Sequence, residues 1–159
     1  PLVNSSVEGD NILLKKMVNL GIAVAMEDGG LIVPVVKDAD TLNVIGLGRG
    51  ISDVARRART RNLRPEEIQD GTFTITNFGI FGNIFGTPII NQPQVAILGV
   101  GAVQKKPVVI ERDGEDTIAI RSMMMISMSF DHRIVDGALG GRFLERVKEY
   151  LEDFQLDTI

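Results

Sequence analysis

The sequence has no cysteine, no tryptophan, one tyrosine and one histidine among its 159 residues. The absence of cysteine excludes disulfides, a cysteine nucleophile and cysteine-based metal sites, and it fits a reducing compartment. With no tryptophan and Tyr150 as the one tyrosine, an aromatic surface for stacking single-stranded nucleic acid is not expected. Any imidazole chemistry has to use His132, because the chain contains no other histidine.

Long apolar runs and an excess of positive charge are missing as well. No stretch is long and uncharged enough for a transmembrane helix, and no signal-peptide pattern opens the chain. Lysine and arginine total 17 against 21 aspartate and glutamate residues, and this net charge of −4 does not favour nucleic acid or an anionic membrane as a partner. Hydrophobic residues make up 44% of the chain, which is enough for the core of one compact domain.

Apolar periodicity predicts several strands and few helices. The predicted strands are 21–24, 31–36, 71–77, 94–100, 108–112 and 117–130, and the predicted helices are 41–61 and 138–154. Turn signals at 28–30 and 113–115 make hairpins of two strand pairs, while residues 1–6 are expected to form a loop. Glycines at 46, 48 and 50 disfavour a helix interior, so either the first helix starts after Thr41 or it packs closely against another backbone. Hairpins with few helices indicate an α+β domain.

The histidine lies on segment 131–137, whose sequence is DHRIVDG. This segment connects a predicted strand to a predicted helix, a place where catalytic groups are often presented. Spacing alone modestly favours a surface histidine in a charged turn over a general base. A metal site is not expected here, because one histidine and two aspartates seldom suffice as ligands.

Glycine-rich and arginine-rich stretches are weaker candidates. Segments 46–50 and 99–101 lack the spacing of phosphate-binding loops, so turns and close packing account better for their glycines. The arginines between positions 49 and 64 lie on or near a predicted helix. A solvated helix face is the preferred interpretation of that run, and binding of a cofactor phosphate is the minority interpretation.

Segment 131–137 resembles the D-H-R-x-x-D-G signature of the dihydrolipoamide acyltransferases, the core enzymes of the 2-oxo acid dehydrogenase complexes. Segments 71–77 (GTFTITN) and 87–99 (TPIINQPQVAILG) resemble a second signature region of that family, and segment 30–39 (GLIVPVVKDA) resembles a third. The resemblance runs in order from Pro1 nearly to the C-terminus.

The resemblance implies a fold like that of chloramphenicol acetyltransferase, which is α+β with a mixed sheet and helices on one side. It implies a homotrimer with active sites between subunits, assembled into a 24-mer or 60-mer core that is cubic or dodecahedral. Implied partners are the decarboxylase and dihydrolipoamide dehydrogenase components and a lipoyl domain. Residues 1–159 are expected to be a catalytic domain that is incomplete at its N-terminus and lacks the lipoyl and peripheral-subunit-binding domains. Family members work in the bacterial cytoplasm or the mitochondrial matrix.

The implied reaction transfers an acyl group between dihydrolipoamide and coenzyme A. A free thiol titrates at about 8.5 and is a weak nucleophile until it is deprotonated, so His132 would remove the proton of the coenzyme A thiol and the thiolate would attack the thioester. Thr76 would donate its hydroxyl to the resulting oxyanion, and Asp136 would support the site. The resemblance places these residues on the coenzyme A path: Asn77, Gly101 and Val103.

Two other interpretations stay open. A core-forming scaffold without turnover would assemble into multimers that bind no coenzyme A. A small-molecule acetyltransferase of the chloramphenicol type ranks lower, because that family has a second histidine where this sequence has Asp131. The sequence does not identify the acyl group, since acetyl, succinyl and branched-chain acyl groups are all compatible with it.

Overall fold

The computed structural model describes residues 1–154, so the last five positions of the predicted 1–159 domain lie outside the described residues. The strands are β1 (Ser5–Glu8), β2 (Asn11–Leu14), β3 (Leu20–Ile22), β4 (Val24–Ala25), β5 (Leu31–Ile32), β6 (Val35–Val36), β7 (Phe73–Asn77), β8 (Ala96–Val100), β9 (Gln104–Arg112), β10 (Glu115–Met123) and β11 (Ile126–Phe130). The α-helices are α1 (Val44–Arg59) and α2 (Gly137–Glu152), and 3-10 helices lie at Leu2–Asn4, Ala39–Thr41, Pro65–Ile68 and Gly79–Phe81. No helix in this part of the chain is long and apolar enough to cross a membrane.

Five strands form a mixed central sheet in the order β11-β8-β7-β3-β6. β3 and β8 run parallel to β7, whereas the edge strands β11 and β6 run antiparallel to their neighbours. The register pairs Thr74 with Ile97 and Ile97 with Ser129. Because residues paired across strands share a face, one face of the sheet collects the large apolar side chains and the other collects small and polar ones.

Both α-helices cover the apolar face of the central sheet, as predicted. α2 contributes Phe143, whose ring centroid lies 5.5 Å from that of Phe73. α1 contributes Val54, which packs in a second cluster with Val36. Leu20 packs against both clusters, which places the two helices side by side on one face. Burying a side chain of this kind stabilises the fold by about 1.5–3 kcal/mol relative to leaving it exposed.

The opposite face of the sheet carries Gly21, Thr74 and Gly99. The hydroxyl of the buried Thr74 donates to Oε1 of Gln94 at 2.6 Å. A Cβ on Gly21 would lie 2.8 Å from Oγ1 of Thr74 and 2.9 Å from Val33, so glycine is needed for this close approach. Both α-helices lie on the other side of the sheet, so neither of them covers this face.

Two predicted strands are each divided in two. The strand at 21–24 becomes β3 and β4, and the strand at 31–36 becomes β5 and β6. Pro34 separates the latter pair, because proline has no N–H for the strand ladder. β3 pairs with β6 in the central sheet and β4 pairs with β5 in a small sheet of its own, so the predicted hairpin is confirmed in two sections.

The first α-helix starts after Thr41, which belongs to the preceding 3-10 helix. Asn43 caps α1, because its side-chain oxygen accepts a hydrogen bond from the N–H of Gly46 at 2.8 Å. Asparagine is among the preferred residues at this position. The later start is confirmed, but the three glycines still lie inside α1, so it does not account for them. A Cβ on Gly48 would meet nothing within 4 Å and one on Gly50 would meet only the side chain of Val36 at 3.5 Å, so close packing against another backbone does not account for these two either.

The prediction of a loop at residues 1–6 is wrong, because β1 begins there and pairs with β2 as an antiparallel hairpin. Asn4, Ser5 and Ser6 are polar residues of types that ordinarily favour turns. Here the side chains of two of them bind backbone carbonyls. The side-chain amide of Asn4 donates to the carbonyl of Met17 at 2.9 Å, and the hydroxyl of Ser5 donates to the carbonyl of Leu2 at 2.7 Å.

The second predicted hairpin exists, but its last strand was predicted too long. Residues 117–130 fall into β10 and β11, which belong to different sheets. Between them the carbonyl of Met125 accepts a hydrogen bond from the N–H of Gly101 at 2.9 Å and returns the chain to the central sheet. The apolar periodicity of the sequence continues from β10 into β11, so it does not show where one strand ends and the next begins.

The hairpin of β9 and β10 stands apart from the central sheet. In the part of the chain that the structure describes, these two strands pair only with each other. Val109, Ile118 and Ile120 are 67%, 80% and 67% exposed on it. Isolated two-stranded hairpins are only marginally stable in water, so we expect another surface to cover these side chains.

Candidate active site

His132 lies on the turn between β11 and α2, as predicted, and its side chain is exposed. Asp131 fixes the turn through its backbone: its N–H donates to the carbonyl of Val95 at 2.8 Å, and its carbonyl accepts from Ile134 at 3.0 Å and Val135 at 2.9 Å. Val135 is fully buried and anchors the far end of the turn in the core. The imidazole is therefore presented to solvent from a well-fixed backbone.

The residues on either side of His132 form an ion pair. Arg133 binds the carboxylate of Asp131 with two parallel hydrogen bonds, from Nε to Oδ1 at 3.0 Å and from Nη2 to Oδ2 at 2.6 Å. These hydrogen bonds lower the pKa of Asp131. A bidentate arginine–carboxylate pair has a fixed geometry, so it restrains the turn that carries the imidazole. This role was not predicted, although the opposite charges that flank the histidine in the sequence are a signal for it.

Phe130 supports the imidazole from the core side. Its ring centroid lies 5.6 Å from that of His132, with the two planes tilted by 47°. On its other side the ring lies against Gly140 of α2, where an added Cβ would come within 2.7 Å of it. Glycine therefore lets the helix backbone hold the ring in place. Phe130 and Gly140 are positioning residues that depend on tertiary packing, and no sequence motif marks them.

Asp136 caps the N-terminus of α2. Its Oδ1 accepts a hydrogen bond from the N–H of Leu139 at 2.7 Å. Within residues 1–154 no hydrogen bond joins its carboxylate to His132. Capping requires an acceptor oxygen rather than a full charge, so asparagine is expected to serve equally well at this position.

Replacing Asp136 with alanine or with asparagine is expected to distinguish the stabilisation by helix capping from any stabilisation by the negative charge. Asp136→Ala should lower the free energy of unfolding by about 1 kcal/mol, whereas Asp136→Asn should stay within a few tenths of a kcal/mol of the wild type. Urea unfolding of the two variants and the wild type, with equal m-values, measures the difference. Equal midpoints for the alanine and asparagine variants would contradict the capping role.

Thr76 lies near the carboxyl end of β7, half-buried on the face away from the helices. The two preceding threonines on this face are already engaged: Oγ1 of Thr72 accepts from the N–H of Asn19 at 2.9 Å, and the hydroxyl of Thr74 donates to Gln94. The hydroxyl of Thr76 has no hydrogen-bond partner among residues 1–154. Of the three, Thr76 is therefore the one available to a ligand.

A groove of about 520 Å³ opens beside Thr76 on the same face of the sheet. Its apolar side chains include Ala23, Leu31, Val33, Phe78, Phe85 and Ile97. A second groove, of about 740 Å³, lies around Gln94 near the opposite end of β7 and contains none of the predicted site residues. The groove beside Thr76 is thus the cavity that the predicted hydroxyl donor can serve.

One chain does not bring Thr76 and His132 together. In the sheet Thr76 pairs with Gly99, and Gly99 pairs with Ser127. His132 lies five residues beyond Ser127, in the direction away from that end of the sheet. From Ser127 to Phe130, where β11 ends, the chain moves about 10 Å away from the level of Thr76 at about 3.3 Å per strand residue, and His132 lies two residues further on, in the turn. A hydrogen-bonded reaction centre requires contacts of about 3 Å, so this separation disfavours joint action of the two residues on one substrate from the same chain.

The three residues predicted on the coenzyme A path lie at the Thr76 end of the sheet. Asn77 is exposed, and Val103 is 66% exposed. Gly101 is buried, its N–H donates to Met125, and a Cβ there would collide with the carbonyl oxygen of Ile84. Close backbone packing therefore explains this glycine, in line with the packing interpretation of segment 99–101.

The arginine run is largely engaged in ion pairs. Arg57 binds the carboxylate of Glu67 with hydrogen bonds of 2.6 and 2.7 Å and also contacts Asp53 at 2.8 Å. The hydrogen bonds from Arg57 lower the pKa of Glu67 to about 2. These contacts tie the Pro65–Ile68 helix to α1. The central arginine of the run thus has a structural role, which favours the helix-face interpretation over a phosphate site.

Comparison with known proteins places the whole chain in one family. The family model described as 2-oxoacid dehydrogenases acyltransferase (catalytic domain) matches residues 1–158. The chain is 47% identical to the dihydrolipoyllysine-residue succinyltransferase component of the 2-oxoglutarate dehydrogenase complex of Bacillus subtilis, covering 96% of this chain and 36% of that protein. It is 44% identical to the lipoamide acyltransferase component of the branched-chain alpha-keto acid dehydrogenase complex of the same species, covering 99% and 36%. The chain thus spans about a third of the length of these relatives.

Solved structures confirm the fold that the resemblance implied. A probable dihydrolipoamide acetyltransferase from Listeria monocytogenes matches with a TM-score of 0.92 and 40% identity, covering 100% of this chain and 66% of that one. The dihydrolipoamide acetyltransferase of Azotobacter vinelandii matches with a TM-score of 0.88 and 38% identity, covering 96% and 62%. In that enzyme a serine, a histidine and an asparagine four positions after the histidine were investigated for their role in the catalytic mechanism. The cubic core of the pyruvate dehydrogenase multienzyme complex also matches, with a TM-score of 0.88 and 37% identity, covering 96% and 62%.

Proposed function

Since the chain belongs to the family of 2-oxoacid dehydrogenase acyltransferase catalytic domains, we propose that it transfers an acyl group between dihydrolipoamide and coenzyme A. The observation that carries this proposal is a pair of groups: an exposed imidazole on a well-fixed turn and, beside a groove, a threonine hydroxyl that has no hydrogen-bond partner among residues 1–154. The imidazole can remove a proton from a thiol, and the threonine hydroxyl can donate a hydrogen bond to an oxyanion. Together they suit acyl transfer between two thiols.

His132 acts as the general base. A thiol with a pKa of about 8.5 is a weak nucleophile at neutral pH until a base removes its proton. The neutral imidazole takes the proton of the coenzyme A thiol, and the thiolate attacks the carbonyl carbon of the acyl-dihydrolipoamide thioester. When the tetrahedral intermediate collapses, the carbon–sulfur bond to dihydrolipoamide breaks, and the imidazolium returns its proton to the leaving thiolate.

Thr76 stabilises the tetrahedral intermediate. Negative charge develops on the carbonyl oxygen during the attack, and a fixed donor aimed at that oxygen can be worth about 3 kcal/mol. The Thr76 hydroxyl needs no rearrangement to donate, because it has no competing partner within residues 1–154. Asp136 supports the site indirectly by starting the helix that follows the catalytic turn. His132 and Asp136 have the spacing of the histidine and asparagine investigated in the Azotobacter enzyme.

Each site is formed by two copies of the chain, with His132 from one and Thr76 from the other. The separation of about 10 Å along β11 within one chain, with His132 beyond the end of that strand, supports this arrangement. The exposed apolar residues of the β9–β10 hairpin offer surface for contacts between copies. A homotrimer provides both a site shared by two copies and a contact surface for the hairpin. The match to a cubic core supports the assembly of trimers into a 24-mer or 60-mer.

Coenzyme A is a substrate in this scheme, and it enters along the end of the sheet that carries Asn77, Gly101 and Val103. The lipoyl group arrives on a separate lipoyl domain. The proposed partners are the decarboxylase and dihydrolipoamide dehydrogenase components, because the relatives are components of 2-oxo acid dehydrogenase complexes. The bacterial relatives support a cytoplasmic location.

A matched pair of variants at Thr76 tests this function. In the full-length protein, Thr76→Val should lower kcat for acyl transfer by about 100-fold, and Thr76→Ser should keep most of the activity, because serine retains the donor. Steady-state assays with acyl-coenzyme A and dihydrolipoamide measure kcat. Titration calorimetry with coenzyme A provides the control for binding. An assembled wild-type protein that binds no coenzyme A and transfers no acyl group would overturn the proposal in favour of a core-forming scaffold.

A further inference from the structure

The groove beside Thr76 points to an uncharged acyl group. We propose that the chain transfers an acetyl or short branched-chain acyl group rather than a succinyl group. This inference rests on the proposed function and specifies the substrate at the same site. Identity to named relatives does not decide the point, since it is 47% for a succinyltransferase, 46% for an acetyltransferase from Mycobacterium tuberculosis and 44% for a branched-chain acyltransferase.

The acyl group has to lie next to Thr76 during transfer. The oxyanion that this hydroxyl binds is the former carbonyl oxygen of the acyl group, at a donor–acceptor distance of about 3 Å. The rest of the acyl group is bonded directly to the same carbonyl carbon. The groove of about 520 Å³ opens at Thr76, so its first part receives the acyl chain and the remainder has room for the carbon chain of dihydrolipoamide.

Among residues 1–154, no lysine, arginine or histidine lines this groove. Its polar members are neutral threonine and asparagine residues, and its floor includes Ile97, which is 5% exposed. The hydroxyl of Thr74, also in the lining, is already bonded to Gln94. A carboxylate entering here would lose hydration without meeting an opposite charge, whereas methyl and isopropyl groups match the apolar lining.

The turn that carries His132 adds no free cation to the proposed site. Its imidazole has to be neutral to accept a proton. The arginine of that turn, Arg133, is held in a bidentate pair by Asp131. The turn and the groove beside Thr76 thus offer a base and a hydroxyl donor, and neither of these two elements offers a free cation to a carboxylate.

A panel of acyl donors tests the inference on the full-length, assembled protein. Acetyl-, isobutyryl- and succinyl-coenzyme A are assayed with dihydrolipoamide as the acceptor. We expect kcat/KM for succinyl-coenzyme A to be at least about 100-fold below that of the better of the other two. Succinyl transfer at an equal or higher kcat/KM would overturn the acyl assignment and leave the acyltransferase function standing. Failure with all three donors would overturn the proposed function itself.

A substitution at the rim of the groove tests the physical cause. Ile89 lines the groove and is 92% exposed, so a polar residue there is compatible with folding. Ile89→Arg adds the missing cation, and Ile89→Gln adds a polar side chain without charge. The ratio of succinyl to acetyl kcat/KM should be about tenfold higher in the arginine variant than in the glutamine variant. Equal ratios would show that the acyl end lies elsewhere and would overturn the proposal.

Discussion

Replacing His132 with alanine is expected to lower kcat for acyl transfer about 1000-fold, because the coenzyme A thiol then has no base beside it. The side chain is exposed and its ring lies against that of Phe130, so the fold and the assembly should persist. Steady-state kinetics on the full-length protein, together with its sedimentation, measure both quantities.

The pH dependence of the His132→Ala variant separates lost base catalysis from lost structure. Without the imidazole, transfer depends on thiolate already present in solution. Its rate should therefore rise about tenfold per pH unit up to the thiol pKa near 8.5. A variant that is damaged structurally would stay inactive at every pH. Wild-type rates at neutral pH in an assembled variant would remove His132 from the mechanism.

Co-expression of His132→Ala chains with Thr76→Val chains is expected to restore activity that neither variant has alone. If each site takes its base from one copy and its hydroxyl from another, random mixing leaves both groups intact at about one quarter of the sites. The mixed assembly should then reach roughly a quarter of the wild-type activity per chain.

The same experiment distinguishes the alternative arrangement sharply. If both residues acted from one chain, every site in the mixture would lack one of them, and the activity would stay at the level of the separate variants. Combining both substitutions in one chain and co-expressing it with wild-type chains provides the matched control. In this control, the doubly substituted chain can donate neither the imidazole nor the hydroxyl, so only wild-type chains supply these two groups.

The position of the site on the fold could be predicted from the sequence because local patterns determine it. The strand before His132 and the helix after it are periodic enough to place segment 131–137 between them, and alternation around Thr76 predicts a strand that ends there. The residues that hold the site could not be predicted in this way. Phe130 meets Gly140 only because α2 folds back over the sheet, which is a tertiary event.

Local sequence patterns do not predict the separation of Thr76 and His132 either. It depends on the order of β7, β8 and β11 in the sheet and on which of them run parallel. The resemblance to a family supplied the expectation of sites between subunits, and the register within one chain gives its physical reason. The failed loop prediction at residues 1–6 has a similar cause, since β2, which pairs with β1, and Met17, which accepts a hydrogen bond from Asn4, lie outside this segment.

The β9–β10 hairpin is where we expect changes of chain length to be tolerated, because its strands pair only with each other among residues 1–154. One residue added to each of its strands near the turn extends the ladder and leaves every existing pair, and therefore β11 and the His132 turn, in place. One residue added to a single strand creates a bulge or shifts every side chain beyond it to the opposite face. Insertions and deletions at this hairpin should therefore occur in even numbers, whereas β7, which carries Thr76, should tolerate none.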